Sequence, residues 1–144
     1  HGDMARMTPL IKMHTLGSDF LPPANHSGGL RYHGMSYHLS HLYDLGLMRA
    51  KAYGQKDCFE AGVIFGKQEG IIPAPEANHA VKGVIDAALE CKENGESKTI
   101  LFNLCGHGHF DMTAYDDYFR GKLADDFYDE TSANKSLSNL PEIA

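Results

Sequence analysis

Lys98-Thr99-Ile100-Leu101-Phe102-Asn103-Leu104-Cys105-Gly106-His107-Gly108-His109-Phe110-Asp111 is the stretch that decides how this chain folds. The apolar run Ile100 to Leu104 is short, is followed by glycines and gives way to a helical pattern, which predicts a buried strand feeding a Gly-rich turn. Ligands of open α/β sheets bind at the carboxyl ends of such strands. Cys105 stands at that end, and Gly106 and Gly108 would let a ligand approach the backbone. Asp111 suits the N-cap of the following helix. A tight strand-to-helix turn without any ligand fits the same residues, because two glycines fall well short of GxGxxG or a P-loop.

Immediately upstream, Ile71-Ile72-Pro73-Ala74-Pro75 reads as a short extended run whose prolines forbid a central paired strand over its whole length. Glu76 then opens the strongest helical pattern of the chain. Ala77, Ala80, Val81, Val84, Ile85, Ala88 and Leu89 recur at helical spacing, and Gly95 closes the run. A carboxylate in a first helical turn gains about 0.3–1 kcal/mol from the helix dipole, which is reason enough for Glu76. Its place after Pro75 also aims it at a ligand crevice. A second helix is predicted from Asp57 through Gln68, with Phe59, Val63 and Ile64 inward and Gly70 ending it. Gly62 and Gly66 inside it each cost about 1 kcal/mol relative to Ala, which close packing against a neighbour would offset.

Farther out, Met48 to Tyr53 alternates like a half-buried strand. Met35 to Leu47 predicts a helix with Met35, Leu39, Leu42, Tyr43 and Leu45 on a broad face. Met7 to Leu16 suits a short helix, and Phe20 to Gly34 forms a long loop too apolar for a linker. Met112 to Leu123 completes the series. The order helix, strand, helix, strand, helix, strand, helix predicts the α/β class, a parallel sheet covered by helices. Three strands are too few to stand alone, so residues 1–124 read as a partial domain. Residues 125–144 turn to Asp, Glu, Ser and Asn and predict a disordered polar tail.

Composition narrows the function. The 144 residues are 42% hydrophobic and 22% charged, ordinary for a globular protein, and the net charge of −6 argues against a nucleic-acid surface. No window approaches the roughly 18 apolar residues of a membrane span. Cys58, Cys91 and Cys105 are odd in number and outside any CxxC, which suits reduced thiols in a cytosol. The first residue is His1, with no basic-then-apolar leader pattern. Together with the weak periodicity of the first thirty residues, this predicts a piece of a longer chain.

Parallel neighbouring strands would bring Glu76 and Cys105 to one sheet edge, with His79 one helical turn on. A thiol nucleophile at Cys105 lacks any evident group to orient a histidine base. His107-x-His109 with Asp111 is a ligand pattern for zinc or iron, and His38 and His41 share a helix side, so a His-rich metal-dependent hydrolase is one alternative. A non-catalytic interaction module is another.

Four stretches, in order, carry a more specific likeness: Thr8-Pro-Leu-Ile-Lys-Met-His-Thr-Leu-Gly-Ser-Asp-Phe, Gly28-Gly-Leu-Arg-Tyr-His-Gly, Glu69-Gly-Ile-Ile-Pro-Ala-Pro-Glu-Ala-Asn-His-Ala and Leu101-Phe-Asn-Leu-Cys-Gly-His-Gly-His-Phe-Asp. From about His1 to Leu123 the chain resembles the carboxyl-terminal third of tryptophan synthase β chains, most nearly their divergent β-like branch. The resemblance implies a partial fold-type II domain of a pyridoxal 5'-phosphate (PLP) enzyme, cytoplasmic, that makes L-tryptophan from L-serine and indole by β-replacement. It implies Glu76 as the active-site carboxylate and Cys105, where Ser is common, facing the pyridine nitrogen. Gly106 and Gly108 give clearance there, and the backbone carbonyls of Tyr32 and Gly34 hold a monovalent cation, K+ or Na+. Arg31 stands where an acidic residue is usual. The family's Schiff-base lysine and phosphate loop match nothing here, which implies a missing amino-terminal part of the same enzyme and inactivity without it. A homodimer when complete and a tryptophan synthase α-chain partner are implied as well.

Overall fold

Pro75 starts the longest helix because its fixed φ and missing N–H suit a first helical position. In the computed structural model, which describes residues 7–125 and 129–140, the helices are α1 (Tyr37–Asp44), α2 (Gln55–Glu69), α3 (Pro75–Glu93), α4 (Met112–Phe119) and α5 (Glu130–Leu137). Among the described residues a single 3-10 turn spans Gly28–Leu30. The described residues divide into two compact units. One comprises 7–23, 31–52 and 129–140, and the other 24–30 and 53–125.

The second unit holds the core. Phe59, Ala114, Tyr115 and Leu123 are buried together, with Val63, Ile72 and Tyr118 packed around them. Phe59 meets Tyr115 edge-on at 5.0 Å and stacks on Tyr118 at 5.9 Å. Burying a ring of that size contributes roughly 1.5–3 kcal/mol. Helices α2 and α3 lie against one another, and Gly62 shows why they can. A Cβ on Gly62 would come within 2.2 Å of the Asn78 Oδ1, so only hydrogen admits Asn78. Gly66 has no such neighbour, since its Cβ would rest at an ordinary 3.5 Å from the Ile71 carbonyl oxygen. Helix α2 ends on Gly70 in the left-handed conformation, the usual C-terminal device. At its other end the Asp125 carboxylate accepts from the Lys56 N–H at 3.0 Å, satisfying a donor the helix leaves open.

The parallel sheet does not form among the described residues, nearly half of which are helical. Met48 to Tyr53 and Thr99 to Leu104 are unpaired, and the isolated bridges present are antiparallel: Pro73 with His107 and Thr15 with Gly34. The reason is partnership. A parallel strand needs a neighbour on an open edge and cover on both faces. Pro73 and Pro75 lack the N–H groups for a continuous ladder, and Leu101 stands 96% exposed where a buried strand was expected.

The first unit departs further from the sequence pattern. Met7 to Leu16 is not helical, and its last residues bond to 33–35. Leu16 N–H donates to the His33 carbonyl at 2.7 Å and Met35 N–H to the His14 carbonyl at 2.8 Å. Helix α1 keeps its predicted place, yet Leu39, Leu42, Tyr43 and Leu45 are exposed and Ser40 is the residue it buries. Ser40 Oγ accepts the His14 N–H at 3.1 Å. In the stretch read as a disordered tail, α5 forms with Asp129 as its cap, the carboxylate accepting from the Thr131 and Ser132 N–H groups at 3.1 Å each. Those bonds and the Ser132 hydroxyl hold the Asp129 carboxyl below the usual carboxylate range. The remainder of that stretch at 126–128 and 141–144 lies outside the described residues.

Candidate functional site

Two backbone hydrogen bonds build the site within the second unit. Ala74 N–H donates to the Gly106 carbonyl at 2.9 Å, and Gly108 N–H donates to the Ile72 carbonyl at 2.7 Å. They clip the 72–74 segment to the 106–108 turn. Glu76 lies two residues beyond one end of the clip and Cys105 one residue before the other. The clip joins the backbone next to the two residues read from sequence as strand ends, and it is antiparallel where parallel neighbours were expected.

Glycine is required at 108: a Cβ there would fall 2.5 Å from the Pro73 carbonyl oxygen and 3.0 Å from the Tyr115 ring. Its clearance serves the protein's own backbone. A Cβ on Gly106 would lie 3.2 Å from the Ala74 Cβ. Beneath the clip sits a buried polar knot that the sequence reading missed. Tyr115 donates its hydroxyl proton to the Pro73 carbonyl at 2.6 Å and accepts from Asn78 Nδ2 at 3.1 Å. Burial pushes the Tyr115 hydroxyl above its ordinary value, with the Asn78 contact opposing. Asn78 is fully buried, and its spacing with Val81 and Ile85 on the apolar stripe of α3 was the available signal.

Glu76, in the first turn of α3, is half-buried and accepts from the Gly29 N–H through Oε1 at 2.7 Å. Cys105 is exposed as a free thiol. His79 donates from Nδ1 to the Pro75 carbonyl at 3.0 Å, which occupies one ring nitrogen within its own helix. His107 and His109 have ring centroids 4.7 Å apart, and His107 Nδ1 accepts the His109 N–H at 3.3 Å. Asp111 takes the N-cap position of α4 without a side-chain cap bond. Among the described residues no group of three or more His, Cys, Asp or Glu side chains is arranged to hold a metal ion, so the geometry does not support the hydrolase reading of His107, His109 and Asp111. In the other unit Tyr32 is 70% exposed and Gly34 is bridged to Thr15. The His33 carbonyl between them already takes the Leu16 N–H and the Thr15 hydroxyl.

Against known proteins, the chain is 61% identical over 122 residues to tryptophan synthase beta chain 2 of Methanosarcina mazei, covering 85% of this chain. The corresponding protein of Aquifex aeolicus is 58% identical over 124 residues. The tryptophan synthase beta chain of Pyrococcus horikoshii is 51% identical over all 144 residues. The chain is a homologue of tryptophan synthase beta chains. It spans 28–31% of the length of these beta-chain relatives. No protein-family model matches it. Among the described residues no helix is long and apolar enough to cross a membrane.

Proposed function

We propose that this chain supplies the carboxyl-terminal wall of the catalytic pocket of a PLP-dependent tryptophan synthase β-like lyase, which joins L-serine and indole by β-replacement. The observation that supports the reading is the Ala74–Gly106 clip, which joins the backbone two residues before Glu76 to the residue after Cys105 in a homologue of beta chains. The donor set suits one side of the coenzyme ring. PLP, when bound, supplies an electron sink for charge developing beside the amino group of the substrate. Cys105 offers its ring nitrogen a weak S–H donor, and Gly106 keeps that approach free of side chain. Glu76 would offer a carboxylate near the indole and the cofactor ring. The carbonyls of Tyr32 and Gly34 are the ligands for a monovalent cation.

The chain by itself is inactive on this reading, because no lysine or glycine-rich loop in it matches the family's covalent anchor or phosphate cradle. The exposed Leu101 run is where the rest of such an enzyme packs. A cytoplasmic homodimer, with a tryptophan synthase α chain as partner, completes the picture. The test is to express the chain with the amino-terminal 70% of the Methanosarcina mazei beta chain, fused or together, and measure tryptophan made from L-serine and indole. Turnover absent from either piece alone, and lowered about a hundredfold by Glu76→Gln, is the expected result. A fused protein that folds and takes up PLP but makes no tryptophan would leave the chain as a non-catalytic interaction module.

A further inference from the structure

Glu76 reaches the site already held, and the holder is the backbone of a distant loop. Oε1 of Glu76 accepts the Gly29 N–H at 2.7 Å across 47 residues of sequence. Both belong to the second unit. The loop is braced on its own account: Asn25 Oδ1 accepts from the Ser27 N–H at 3.3 Å and the Ser27 hydroxyl at 3.0 Å, and the His26 ring meets Phe59 edge-on at 6.4 Å. Leu30 N–H closes the turn onto the Ser27 carbonyl at 2.9 Å. Ser27 itself is buried, so the turn that presents the Gly29 amide is anchored in the protein and not merely draped over it.

A side chain at position 29 would make the Glu76 side chain shift. A Cβ there would lie 2.9 Å from the Glu76 Oε1, 3.1 Å from its Cγ and 3.3 Å from its Cδ. Gly28, its neighbour, has open space around it, so the restriction belongs to one glycine of the pair.

We propose that Gly29 is a positioning residue for the Glu76 carboxylate. Its N–H fixes Oε1 and so selects the rotamer that leaves Oε2 as the oxygen available to a ligand. An amide donor costs no side-chain entropy and cannot swing away, which is how a carboxylate on a flexible two-carbon stem is held in one geometry. The proposal deepens the functional reading above and rests on it for the role of Glu76, while the contact itself can be tested in the chain alone.

The experiment follows the Gly29 amide in the 15N-labelled 144-residue chain. In the wild type its proton resonance should lie downfield, as for an amide that donates to a carboxylate, and it should move upfield in Glu76→Gln, which keeps the shape and removes the charge. Its exchange with solvent should quicken about tenfold in Glu76→Ala as the charged acceptor is lost. In Gly29→Ala the backbone resonances of Glu76 and Ala77 should shift while the Asn78–Tyr115 region, read by the Phe59, Ala114 and Tyr115 resonances, stays as in the wild type. A Gly29 amide whose resonance and exchange are the same in the wild type, Glu76→Gln and Glu76→Ala overturns the proposal. Should the amide follow Glu76 while Glu76→Gln leaves tryptophan formation in the joined enzyme unaffected, the clamp stands and the catalytic reading falls.

Discussion

Cys58 and Cys105 are the same residue type in opposite surroundings. Cys58 is 1% exposed, and burial, with Asp57 adding to it, pushes its thiol from the ordinary 9.0 up to about 12. Cys105 lies open to solvent. A thiol-alkylating reagent at pH 8 is therefore expected to label Cys105 in the folded chain and Cys58 only after denaturant is added, as mass spectrometry of the two peptides would show. The same burial has a pH consequence. Below about pH 9 both folded and unfolded Cys58 keep the proton and the group contributes no pH dependence. Between 9 and about 12 the unfolded chain releases its proton while the folded chain retains it, so stability falls as pH rises. Urea midpoints measured from pH 8 to 11 should decline, and Cys58→Ala should flatten that decline. A second residue-scale expectation concerns the polar knot. Tyr115→Phe deletes the hydroxyl that satisfies the Pro73 carbonyl and Asn78, and should cost about 1–3 kcal/mol in urea unfolding.

Between elements, the contact of α2 with α3 separates two glycines that look alike in sequence. Gly62 is met by the Asn78 side chain and Gly66 by ordinary van der Waals space. Gly62→Ala should destabilise by about 1–3 kcal/mol through overpacking. Gly66→Ala should stabilise by up to about 1 kcal/mol, since helix propensity then acts without a clash. Opposite signs in one denaturation series would verify the assignment, and equal signs would refute it. Helix positions were readable because apolar spacing and caps are local: α2, α3 and α4 start within two residues of the sequence expectation. The strands were not. Whether an extended run pairs depends on a neighbour that its own residues do not encode, and Met7 to Leu16 shows the same limit, giving up a marginal helix for bonds to the 33–35 turn.

Across the whole molecule the unusual feature is apolar surface. Leu101 is 96% exposed, Phe110 93% and Phe119 67%. Singly exposed apolar residues are common, but these accompany an extended segment without a partner strand. Leu101→Lys should change the unfolding free energy of the chain by less than about 0.5 kcal/mol, because nothing covers that side chain. It should still lower association with the amino-terminal beta-chain piece. Sedimentation of the two pieces together, with wild-type and Leu101→Lys chains compared, measures both effects.

The amino-acid order by itself determined α1 to α4, the Gly70 end of α2 and the likeness to beta chains, because each rests on short-range spacing or on residue identity. It also marked the turns beside Glu76 and Cys105, since Pro73, Pro75, Gly106 and Gly108 punctuate the chain there. What tertiary structure decided was which backbone groups meet: the antiparallel clip of Ala74 with Gly106, the insertion of Asn78 beside Gly62, and the Gly29 amide on Glu76. Those contacts join residues 16 to 47 positions apart, and no local pattern specifies them. They arise because buried polar groups must find partners, and only the packed chain decides which partners lie within reach.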